Sequence, residues 1–92
     1  AEVEDSSHPI LHGLDGKWPP LLGFNEVIAK NNSKTILSAN IYNKSYPLLV
    51  ENTYFEGKTL VWTSDIGPHW VSKEFLNWVG YSRLWQQIIN WL

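Results

Sequence analysis

The sequence predicts an α+β domain, with several mostly antiparallel strands and one C-terminal helix laid on the sheet. Three observations predict it. Two strong strand-like runs, "LLVENTY" and "KTLVWTSD", are separated only by "FEG", and a loop of that length carrying Gly57 reads as a tight hairpin. The other connections are also short, and parallel neighbours would need crossovers of about a dozen residues or more. Finally, Tyr81, Leu84, Trp85, Ile88, Ile89 and Leu92 recur at helical spacing in the last stretch of the chain.

The elements follow in order. Residues 1–7, "AEVEDSS", are polar and acidic and predict a loose N-terminal arm ahead of a single domain over 8–92. "HPILHGLDGKWPP" is loop-like, because Pro9 cannot serve a central strand and Gly13, Gly16 and Pro19–Pro20 punctuate it. "LLGFNEVIAK" alternates in part and predicts a strand kinked at Gly23. "NNSK" is a turn, "TILSAN" a short strand and "IYNKSYP" a connection into the hairpin. "VSKEFLNWVG" predicts one or two helical turns with Ser72 as N-cap, interrupted by Gly80 before the final helix.

Composition narrows the function classes. Ninety-two residues make one small domain, whose core must come from six Trp, four Tyr and three Phe. A net charge of −2 without a Lys or Arg cluster gives a nucleic-acid partner no electrostatic footprint. No apolar run approaches the ~20 residues that span a bilayer, and "AEVEDSSH" is no signal peptide, so a soluble cytoplasmic protein is expected. With no Cys there is no disulfide, thiolate metal site or thiol nucleophile. The chain holds no Met and stops at "INWL" inside an amphipathic pattern, so it is expected to be a piece of a longer protein.

Candidate chemistry concentrates in "TSDIGPHW", directly after the strongest strand. His69 follows a strand end and a Gly-Pro turn, at the rim of a sheet where α/β proteins place their sites. It is either a catalytic base or a hydrogen-bonding filler of the turn. Asp65 is either its orienting partner or a cap of its own turn. His8 and His12 have the i, i+4 spacing of a helical metal pair, but Pro9 and Gly13 argue against a helix and no third ligand lies nearby, so no metal and no cofactor is expected. Trp70 and Trp78 are candidates for stacking on a sugar or base, or for covering the core.

The run from "HPILHGLDGKWPPLLGFN" through "YPLLVENTYFEGKTLVWTSDIGPHW" to "GYSRLWQQIINWL" resembles the C-terminal part of a glutamine amidotransferase-like family within the class I group. The resemblance covers nearly all of residues 8–92, and "TSDIGPHW" followed by the aromatic-rich final helix is its most specific piece. It implies a three-layer, flavodoxin-like α/β fold in the full domain, with the nucleophile-bearing half upstream. In active relatives a Cys attacks the glutamine amide, and a His two residues before a Glu activates it. His69 falls where such a His belongs, but Val71 stands two residues on, and Glu74 is the next carboxylate.

The resulting expectation is a domain fragment without catalysis of its own, which self-associates or pairs with the missing upstream half. The alternative is a small non-enzymatic module that binds a protein or a carbohydrate through a Trp-rich face.

Overall fold

The computed structural model describes residues 2–14, 16–54, 57–64, 70 and 72–92. A four-stranded antiparallel sheet in the order β1-β2-β3-β4 carries the domain. Its strands are β1 (Glu2–Val3), β2 (Lys34–Ile41), β3 (Lys44–Tyr54) and β4 (Gly57–Trp62). Two helices follow, α1 (Lys73–Leu76) and α2 (Gly80–Trp91), and a 3-10 turn over Pro9–Leu11 packs against α2. The α+β class is as expected.

The β3–β4 hairpin forms as its sequence predicts, with Tyr54 paired to Gly57 and Leu49 to Trp62. β2 and β3 pair from Lys34↔Glu51 to Ile41↔Lys44, with register shifts between Thr35 and Leu37 and between Leu37 and Ser38. Pro47, which has no N–H to give the ladder, lies opposite Ser38 at this irregularity.

Four expectations need correction. "IYNKSYP" is not a connection but the tip of a second hairpin, closed by Tyr42 and Asn43 at φ 50° and 64°. Asn accepts this left-handed backbone; Tyr gives no such signal. The acidic arm is not loose, because Glu2 pairs with Ser38 and Val3 with Leu37. Beyond β1, Glu4 N–H bonds to Ile36 O and Asp5 meets Lys34 at 2.6 Å.

"LLGFNEVIAK" forms no strand: apart from a single bridge at Leu21 it runs as an irregular strap. Its amides go elsewhere, Leu22 N–H to Trp70 O and Asn25 N–H to Thr63 O. Gly23 permits this course, since a Cβ there would lie 2.7 Å from the Trp70 ring. Lastly, the α2 stripe is narrower than its periodicity suggests. Leu84 and Ile88 are buried, whereas Ile89 and Leu92 remain 70% and 59% exposed.

The core lies between the sheet and the helices. Phe75, fully buried, is its hub, in ring contact with Trp18, Trp62, Trp78 and Tyr81 at centroid distances of 5.5–6.3 Å. Ser72 fixes the helix that carries it: its hydroxyl accepts from Phe75 N–H at 3.1 Å and donates to Pro20 O at 2.7 Å. One side chain thereby caps α1 and ties it to the strap. Trp18, Trp62, Trp78 and Trp85 all pack against this core, so most of the Trp-rich surface inferred from composition is turned inward.

Candidate functional site

The site suggested by "TSDIGPHW" grows from the end of β4. Thr63 is nearly fully buried, donates its N–H to Leu48 O at 2.9 Å and its hydroxyl to Pro47 O at 3.0 Å, and accepts from Asn25 N–H at 2.7 Å. The Ser64 hydroxyl donates to Gly23 O at 2.6 Å. On the far side, Trp70 O accepts from Leu22 N–H at 2.6 Å, and Ser72 is held by Pro20. The two ends of the loop are thus stapled to residues 20–25.

The described residues that flank positions 65–69 are therefore anchored. Asp65, His69 and Val71 lie outside the described residues. Glu74 is exposed in the first turn of α1.

A second histidine pairing was not legible beforehand. His8 is buried; its Nε2 faces Glu51 Oε2, while Nδ1 accepts from Ile10 N–H at 3.2 Å and the ring lies 5.3 Å from that of Trp91. Because Nδ1 is an acceptor, the neutral ring carries its proton on Nε2 and donates it to the carboxylate. Both ring nitrogens are committed, so the pair joins the 3-10 turn to β3. Glu51 is too distant in sequence for spacing to reveal the partnership. His12 is exposed at the end of the turn, and no group of three metal-ligating side chains occurs among the described residues.

Trp78 meets Trp18 at a ring-centroid distance of 4.5 Å, tilted by 51°, and packs against the core. Trp70 is half-buried against Gly23, beside the loop stem. Among the described residues no helix is long and apolar enough to cross a membrane.

The family model described as "Putative glutamine amidotransferase" matches residues 1–92. The chain belongs to that family. Two solved structures are similar to it. Cytoplasmic Protein STM1381 from Salmonella typhimurium LT2 is 39% identical over 97% of this chain and 34% of its own, with a TM-score of 0.82. Cytoplasmic Protein STM3548 from Salmonella typhimurium is 33% identical over 99% of this chain and 35% of its own, with a TM-score of 0.86. The chain therefore spans about a third of the length of the family structures it matches. No curated protein matches it.

Proposed function

We propose that this chain is the C-terminal part of a cytoplasmic glutamine amidotransferase-like domain and releases no ammonia from glutamine by itself. The observation that carries the reading is the family match along the whole chain in a sequence without a single Cys. Class I amide hydrolysis needs a thiolate to attack the carboxamide carbon and a base to activate that thiol. The chain offers His69 for the base and Asp65 to orient it, and has nothing to serve as the thiol. In the complete domain these strands would join a three-layer, flavodoxin-like α/β architecture, with the nucleophile on the other part.

Support for the partial character comes from the neighbours, in which about two thirds of the chain has no counterpart here. Both neighbours are named as cytoplasmic proteins, which supports the cytoplasmic reading. The test is an ammonia assay on the purified chain with glutamine. No turnover is expected. Turnover that persists through rigorous purification and disappears in His69→Ala would overturn the reading.

A further inference from the structure

The contacts of His8 require a neutral ring. Its Nδ1 accepts from Ile10 N–H at 3.2 Å while its Nε2 donates to Glu51 Oε2. A Ser or Asn caps a turn with an oxygen that accepts at any pH, whereas an imidazole nitrogen accepts only while it lacks a proton. Histidine is also the side chain whose charge ordinarily changes between about pH 5 and 8. The cap on the Pro9–Leu11 turn is therefore conditional, as the Ser72 cap of α1 is not.

The groups around the ring decide which contact gives way. From β3, the Glu51 carboxylate meets Nε2, and a charged ring turns that contact into an ion pair. From β2, Lys34 is the register partner of Glu51 and is itself held by Asp5 at 2.6 Å. From α2, the Trp91 ring lies 5.3 Å from the imidazole, and the neutral Gln87 side chain donates to Ile10 O. From β4, Lys58 sets its ammonium 4.7 Å from the Trp91 ring centroid. His12, at the far end of the turn, is exposed. Glu51 thus touches the imidazole directly, while the two ammonium groups are engaged with Asp5 and Trp91.

We propose that His8 is a pH-sensitive cap: neutral, it locks the Pro9–Leu11 turn to β3, and protonated, it keeps Glu51 and releases the turn. The added proton comes from solvent and occupies Nδ1, whose N–H then opposes the N–H of Ile10. One of the two must move. Glu51 holds the ring through Nε2, so Ile10 gives way. Ile10 is fully buried and its carbonyl carries the Gln87 bond, so its release also loosens the turn from α2. The sheet and α2 themselves stay intact. Asp5, held at about 2, titrates well below the histidine range and is not the trigger.

The test is amide exchange by NMR on the 92-residue chain at about pH 7.5 and about pH 5.5, as protection relative to an unstructured amide at each pH. Ile10 is expected to lose protection on the order of tenfold at the lower pH, as fits a lost cap, while Ile88 within α2 keeps its own. Ring nitrogen shifts should place the proton on Nε2 at the higher pH and on both nitrogens at the lower. His8→Asn sets an amide oxygen near the place of Nδ1 and should keep Ile10 protected at both pH values. His8→Gln sets a donor near the place of Nε2 and should leave Ile10 unprotected at both. Unchanged Ile10 protection while the ring becomes charged overturns the proposal, as does a ring that stays neutral throughout. A proton on Nδ1 at the higher pH, a parallel loss at Ile88, or pH dependence that persists in His8→Asn also overturns it. Should either variant fail to fold, the ring and Ile10 signals of the parent chain decide the matter alone.

Discussion

His8 holds Glu51 across the sheet with one ring nitrogen and caps the first turn of the chain with the other. This contact fastens the Pro9–Leu11 turn to β3, and the Trp91 ring, tilted against that of His8, brings the end of α2 to the same point. Lys58 of β4 closes the group, donating to Trp91 O at 3.1 Å with its ammonium 4.7 Å from the Trp91 ring centroid. Elements from both ends of the chain thus meet at one half-polar cluster.

Removing the ring should therefore loosen the N-terminal third. His8→Ala leaves the Glu51 carboxylate, 18% exposed, without its partner and uncaps Ile10. The expected loss is about 1–3 kcal/mol in urea denaturation. Glu51→Gln keeps an acceptor oxygen and should cost less. Equal losses in the two variants would show that the pair, rather than the cap, is what matters.

Core substitutions should rank by burial. Phe75→Ala removes the hub of the aromatic cluster and is expected to cost ~3–5 kcal/mol. Trp85→Ala, at a half-buried position, should cost clearly less. Ile89→Ala should fall within about 0.5 kcal/mol of the parent in the free chain. Thermal melts of the three variants check the order, and a melt unchanged by Trp85→Ala would contradict the docking of α2.

The Asp5–Lys34 pair predicts an acid limb. The Lys34 ammonium, and then the Ser7 hydroxyl, hold the Asp5 carboxyl down at about 2 from its ordinary 3.8. The folded state thus favours the ionised form. The contribution is complete above pH ~4 and fades as pH falls through about 2. Lys34 is raised from 10.5 by the same partner, so its share persists below that value and is lost as pH climbs past it. Melts of Asp5→Asn should show a flatter acid limb than the parent, and because the pair is at the surface the difference should shrink in high salt.

The hairpin tip offers a stabilising change. Tyr42 is 98% exposed at positive φ, where a bulky side chain is strained and Asn is tolerated. Tyr42→Asn is expected to raise stability by about 0.5–1 kcal/mol, read as a higher melting temperature.

Much of the domain follows from local pattern alone. The spacing of Leu84 and Ile88 fixes a helix with a buried side, Ser72 ahead of Phe75 marks a cap, and the two runs around "FEG" can only fold back on each other. The missing Cys, likewise a sequence fact, limits the chemistry whatever the fold. Tertiary structure decided what depends on distant partners. Residues 21–30 alternate in part like a strand, yet the Leu22 and Asn25 amides are taken by Trp70 and Thr63, some forty residues away, and a strand without a neighbouring ladder is no strand. Tyr42 turns a corner that its own propensity opposes because the flanking strands gain more from pairing than the turn loses. Ile89 looks like core by period and stands in solvent because period gives a direction around the helix, while burial needs something on that side to cover it. The buried partner of His8 was equally invisible, since forty-three residues separate it from Glu51 and only the closed sheet brings the two together.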